Sequence, residues 1–246
     1  MRNIKLTMEY DGSRYNGWQR LGKTESDNTI ENKILEVIRK MTGEEVELNC
    51  GCRTEVGVHA YAQIANFKTK SDLRLYEIKN YFNRYLPMDI AVVEIEEMPE
   101  RFHASLNAKT KTYLYRIAIG DVPSVFDRKY TYYCFHKPNV ERMKEAAELL
   151  IGKHDFKDFS SVKKNKSTVK ELYSIDIYQD SKEIQITIRG NDFLHNMARM
   201  LASTLLEIGL GEREKSDIAK ILDPASEIAG SAPANAQGLF LQEIEY

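Results

Sequence analysis

A carboxylate, a guanidinium, a hydroxyl and an imidazole fall within one short segment of this chain, Cys50-Gly51-Cys52-Arg53-Thr54-Glu55-Val56-Gly57-Val58-His59-Ala60. Glu55 offers an acid, a base or a nucleophile, and Arg53 offers a fixed positive charge. Thr54 and His59 offer groups that donate or accept protons. Gly51 and Gly57 bracket the segment with backbone freedom that other residues lack. Loops carried on strands are where catalytic groups tend to sit, and an ordinary connection with an Arg–Glu surface pair has the same composition. The segment alone fits both readings.

A metal reading of the same residues is weaker. Cys50-x-Cys52 with His59 nearby does not have standard zinc-ligand spacing, and no second pair follows, so no metal is expected. The chain has three cysteines in all, which make no disulfide framework and suit a reducing compartment.

The elements that must hold the segment can be read from periodicity. Ile4, Leu6, Met8 and Tyr10 alternate with polar residues as a half-buried strand, followed by a loop, Ser13 to Arg20, that contains Trp18. Two readings of Trp18 fit: a plug in the core, or a face for a base. Asn28 or Thr29 caps a helix with Ile30, Ile34, Val37, Ile38 and Met41 on one face, stopped by Gly43. Val46 and Leu48 begin a strand that runs into the polar segment, and Tyr61 to Phe67 resumes it. A second helix carries Leu75, Ile78, Phe82 and Tyr85 and halts before Pro87. Ile90 to Ile95 closes this half. Strand, helix, strand, strand, helix, strand is the split βαβ or ferredoxin-like order.

Residues 99–108 read as a crossing, dividing the chain into 1–104, which carries the polar segment, and 105–246. The second half repeats the order with insertions. Lys111, Tyr113, Tyr115, Ile117 and Ile119 share a face of one strand, and Tyr130 to Phe135 forms another. A helix runs from Pro138-Asn139 to a stop at Gly152, followed by a lysine-rich loop with Lys163, Lys164, Lys166 and Lys170. Ser174 to Tyr178 and Glu183 to Arg189 form a hairpin. A long helix spans Leu194 to Ile208 with Gly209 as its stop, a short one ends at Pro224, and Leu239 to Ile244 is the last strand.

The 246 residues, 42% hydrophobic and 29% charged with net charge −2, describe a globular α+β protein with no field attracting nucleic acid as a whole. A local basic patch is enough for that. No apolar run reaches membrane-spanning length and the N-terminus lacks a signal-peptide core, so a cytoplasmic protein is expected.

Several stretches, taken in order, resemble the tRNA pseudouridine synthase A family. Cys52 to Ala60 resembles its Gly-Arg-Thr-Asp-x-Gly-Val-His-Ala signature. Tyr10-Asp11-Gly12 with Gly17-Trp18-Gln19 resembles its first strand and loop. Phe102-His103-Ala104 with Lys111-Thr112-Tyr113-Leu114-Tyr115 resembles its second motif, and Gly152 to Phe156 the loop after its third helix. Asp192 to Arg199 resembles its last motif. Ala232-Pro233-Ala234 with Gly238 to Leu241 and Tyr246 resembles its closing strand.

The resemblance implies two ferredoxin-like (RRM-like) halves forming a continuous mixed, largely antiparallel sheet, with helices on one side and a central RNA-binding cleft. It implies a homodimer that acts on tRNA without a cofactor, isomerising uridine to pseudouridine in the anticodon stem-loop. Glu55 stands at the position of the catalytic aspartate. Tyr113 stands at that of the tyrosine that stacks on the target base, and Arg199 at that of the arginine that pairs with the carboxylate. Arg53, Thr54 and His59 are expected to contact substrate. The sequence departs from the pattern at Glu55 for Asp, Cys52 for Gly and Glu31 for Gln. Two activities follow: a working synthase in which Glu55 does the aspartate's work, or a silent homologue that binds tRNA.

Overall fold

The computed structural model describes residues 1–19, 26–161 and 167–246. Arg20, Lys163, Lys164 and Lys166 of the sequence reading lie outside them. The chain divides into two compact units, Met1–Lys109 with Phe240–Tyr246, and Thr110–Leu239. The last residues thus join the first unit. Both units are α+β. Among the described residues no helix is long and apolar enough to cross a membrane.

In the first unit, β1 (Arg2–Tyr10) lies between β4 (Ile90–Met98) and β3 (His59–Thr69), antiparallel to both. β2 (Leu48–Cys50) pairs antiparallel with the far end of β3, and Phe240 and Leu241 of β10 (Leu239–Glu245) run parallel to its start. Strand order 4-1-3-2 is that of the split βαβ fold. Ile4, Leu6 and Met8 are fully buried, as their alternation predicts. α1 (Ile30–Thr42) starts where Thr29 Oγ1 accepts the Asn32 N–H and ends at Gly43 in the left-handed conformation. α2 (Leu75–Tyr85) stops one residue before Leu86-Pro87 and packs on β4 and α1.

In the second unit, β5 (Thr110–Ala118) pairs with β9 (Glu183–Gly190), β9 with β8 (Val169–Gln179), and β8 with β7 (Gly152–Asp155), all antiparallel. α3 (Val140–Glu148) packs on α4 (Met197–Leu210) and on β8, and α5 (Asp217–Leu222) is short.

Three expectations change here. The strand expected at Tyr130 to Phe135 is only β6 (Tyr132–Tyr133), parallel to the end of β5. Gly152 does not simply end a helix; it opens β7, which the lysine-rich composition of its surroundings obscured. Gly209 is not the stop of α4. It lies inside the helix, and a Cβ there would stand 2.7 Å from Met143 Cγ and 3.0 Å from Pro138 Cβ, so it is glycine because α3 packs against it. The stop is Gly211, whose φ of 79° is left-handed.

Candidate active site

The Cys50–Ala60 segment leaves the end of β2 and re-enters the sheet at β3, and residues of the first unit hold it from beneath. Gly12 is glycine because the loop crosses it: a Cβ there would collide with the Val58 carbonyl oxygen. Gly17 adopts φ 78°, and its Cβ would approach the Thr54 carbonyl oxygen to 2.9 Å. The Trp18 N–H donates to that same carbonyl (2.9 Å), and the Val58 N–H donates to the Glu55 carbonyl (3.1 Å).

Beneath the loop is a buried polar cluster. The Tyr10 and Thr54 hydroxyls are 2.6 Å apart, and Gln63 Nε2 donates to Tyr10 Oη at 3.2 Å and to the Cys52 carbonyl at 2.6 Å. Burial pushes the Tyr10 hydroxyl well above the usual phenol range, against the pull of its hydrogen bonds to Thr54 and Gln63, so it stays protonated.

The predicted residues of this loop divide by burial. Glu55 is half-buried and Arg53 exposed. Arg53 lies within electrostatic reach of Glu31 and Cys50; burial raises the Glu31 carboxyl, and the Arg53 charge opposes this. Thr54, 5% exposed, and His59, 1% exposed, turn inward. The His59 ring stacks on Phe240 with centroids 4.7 Å apart, and its Nδ1 accepts the Gly12 N–H at 3.0 Å. Trp18 is fully buried and tilted against Tyr10, which places it in the core under the loop rather than as a platform for a base. Burial also pushes the Cys50 thiol up to about 12, which keeps it from being a ready thiolate ligand.

The Phe102–Ala104 part of the second motif is anchored in the same unit by buried amides. Asn3 Nδ2 donates to the Pro99 and Phe102 carbonyls, and Asn66 Oδ1 accepts the Ala104 N–H at 2.8 Å. His103 Nδ1 accepts the Ser105 and Leu106 N–H groups, a turn-forming role.

In the second unit the residues between β9 and α4 carry the last motif. Asp192 bridges two lysines, with Oδ1 2.6 Å from Lys111 Nζ and Oδ2 2.7 Å from Lys170 Nζ. Burial raises the Asp192 carboxyl, but the two ammonium groups outweigh it and hold it below the usual range. Lys170 is therefore committed to a carboxylate, with its side chain only 16% exposed. Next to this bridge, Tyr113 meets Phe193 edge to face at 4.9 Å. Arg199 is braced: Nε donates to the Ala234 carbonyl at 2.6 Å and Nη1 to Asn196 Oδ1 at 3.1 Å. Asn196 holds a left-handed φ of 63° just before α4, and Tyr115 Oη donates to the Asn235 carbonyl. The Ala232-Pro233-Ala234 stretch is thus the shelf on which Arg199 rests.

A family model described as tRNA pseudouridine synthase matches residues 6–107 and 146–246. The chain belongs to the tRNA pseudouridine synthase family. It is 46% identical to tRNA pseudouridine synthase A 2 of Bacillus anthracis, over all of both chains. It is 44% identical to tRNA pseudouridine synthase A 1 of Clostridium tetani and 42% to tRNA pseudouridine synthase A of Bacillus sp. (strain KSM-64), again over all of each. Every segment that carries the resemblance in this family, from Tyr10 to Tyr246, lies in a described part of the fold.

The residues that sequence reasoning missed are amides: Asn3, Gln63 and Asn66, all within 1% of full burial. Their signal was present, since Asn has low strand propensity and a Gln inside an apolar strand needs partners for its amide.

Proposed function

We propose that the protein isomerises uridine to pseudouridine in the anticodon stem-loop of tRNA, with Glu55 as its catalytic carboxylate. The observation that carries this reading is the loop itself. Its backbone is fixed by buried groups while the Glu55 side chain stays half-exposed, as a pre-organised reactive group requires.

The reaction breaks the N-glycosidic bond, turns the base and rejoins it through carbon, so uracil leaves and returns within one site. The Glu55 carboxylate attacks, or stabilises the charge that develops when the bond breaks. A uridine inside a folded RNA must first leave its stack, and the Tyr113 ring replaces the lost stacking. Arg199 supplies a positive charge that stabilises charge developing in the reaction. Arg53, exposed on the loop, meets a phosphate and helps set register. Thr54 and His59 hold the loop from within in this reading, through the Tyr10 hydroxyl and the Gly12 N–H. No cofactor takes part. The protein works as a homodimer in the cytoplasm, and sedimentation with and without tRNA tests the dimer.

Incubation with an unmodified tRNA transcript, followed by carbodiimide labelling of pseudouridine, tests the activity. Product at substoichiometric enzyme is expected. Binding with no product at stoichiometric enzyme would leave a tRNA-binding homologue, and a sharp gain on Glu55→Asp would then place the defect in the extra methylene.

A further inference from the structure

We propose that Gln63 is the positioning residue that sets the register of the Cys52–Glu55 segment, and through it the place of the Glu55 carboxylate. The inference rests on the reading of Glu55 as the catalytic group.

Gln63 is fully buried on β3. It sits where the pairing with β1 slips: Met8 faces Gln63, but Tyr10 faces Ala60, so β3 carries an extra residue there. Such a bulge re-aims side chains next to functional loops. The Gln63 amide is completely used. One Nε2 hydrogen goes to the Cys52 carbonyl at 2.6 Å and the other to Tyr10 Oη at 3.2 Å. Oε1 accepts the Cys52 N–H at 3.3 Å and the Ile64 N–H at 3.2 Å.

A single side chain therefore grips both polar groups of the Cys52 backbone, as a neighbouring strand would. The β2–β3 ladder, which reaches the loop as the Gly51 N–H donating to the Ile64 carbonyl at 2.8 Å, is extended by one residue without backbone. The second hold acts through Tyr10. Its oxygen accepts from Gln63 and lies 2.6 Å from Thr54 Oγ1, a hydrogen bond in which either hydroxyl can donate. Cys52 and Thr54 flank Arg53 and lead directly into Glu55. Two fixed points so close leave the carboxylate little room to drift. Displacements of ~1 Å in such groups cost on the order of 10²-fold in rate.

The Gln63→Met variant keeps the length and removes every hydrogen bond. Tyr10→Phe keeps the ring and removes the hydroxyl that joins Gln63 to Thr54, leaving the Gln63 hold on Cys52 in place, and it reads the same clamp should Gln63→Met fail to fold. Single-turnover rate, tRNA affinity and amide hydrogen exchange of residues 50–58 are measured together. For Gln63→Met the rate is expected to fall about 10²-fold, with affinity within about twofold of the parent. For Tyr10→Phe the expected fall is about tenfold, and in both the loop exchanges faster while β1 and β3 stay protected. Unchanged loop exchange, or a rate loss matched by an equal loss of affinity, overturns the proposal. Should the parent protein make no pseudouridine, the functional reading fails, and the exchange data alone decide the clamp: faster loop exchange supports it and unchanged exchange overturns it.

Discussion

In the first unit, the Cys50–Ala60 loop is held from below chiefly by neutral groups, with one carboxylate, Asp11, 3.2 Å from His59 Nδ1. Buried hydroxyls and one amide bind it from below, and two glycines let it pass close to its neighbours. In the second unit, the 191–199 segment hangs on charge. Asp192 binds two lysines, and Arg199 is splayed between a carbonyl and an asparagine. Neutral buried hydrogen bonds are strict in geometry and nearly indifferent to pH and salt. A part-exposed ionic bridge is softer and answers to both. The difference suggests a division of labour, with the proposed reacting carboxylate on a rigidly held loop and Arg199 on a more adjustable segment.

The comparison breaks most visibly at the proposed reacting group, Glu55. Glu55→Gln should lower pseudouridine formation by on the order of 10³-fold or more with tRNA affinity unchanged, measured by single-turnover labelling. Retained activity would place the chemistry elsewhere. In the second unit, Arg199→Ala should lower turnover on the order of 10²-fold, with affinity changed only a few-fold. Equal losses of both would make the arginine a phosphate contact and remove the proposed division.

Smaller effects sharpen the contrast between neutral and ionic support. Gly17→Ala forces a side chain onto a left-handed residue against the Thr54 carbonyl, and should destabilise the protein by about 1–3 kcal/mol, read as a lowered Tm. That loss should be the same at low and high salt. The Asp192 bridge should behave otherwise. Its carboxyl titrates lower when folded than unfolded, so its contribution is complete above the unfolded value of about 4 and disappears as pH falls through the lower folded value. The stability difference between the parent and Asp192→Asn should therefore be present at neutral pH, shrink below pH ~4, and diminish in added salt. Denaturant melts across pH and ionic strength check this, and a pH-independent difference would mean that Asp192 acts through packing.

What the sequence disclosed followed the range of the forces involved. α1 was legible end to end because both of its limits are local, the Thr29 cap and the Gly43 stop. α2 was legible because Pro87 forbids more helix. The same local logic misplaced the end of α4, because Gly209 answers to Met143 and Pro138 on another helix and its approach. β7 was missed for a related reason, since a short edge strand with half-exposed residues has no apolar alternation to show. At the candidate site, residue types and motif order were legible in the chain. Direction was not: nothing local to Thr54, His59 or Trp18 says that each turns inward. Nor could the pairing of Lys170 with Asp192 be read from a run of lysines. Gln63 escaped because its partners lie on β1 and in the loop, and only the fold brings them together.

His59 stacks on Phe240, and Gly51 is hemmed in by Ile244 and by the Tyr246 hydroxyl, which itself donates to the Ala104 carbonyl. The surroundings of the reactive loop therefore include residues from both ends of the sequence, with the whole of Thr110–Leu239 between them. On a ribosome the first unit can assemble most of its sheet early, yet the packing around Gly51 and His59 waits until 240–246 have been made. Long-range closure of this kind is slow relative to local helix formation. It also acts as a checkpoint in time: a partly synthesised chain can present the motif without the finished site, and its reactivity should appear only when the last strand docks.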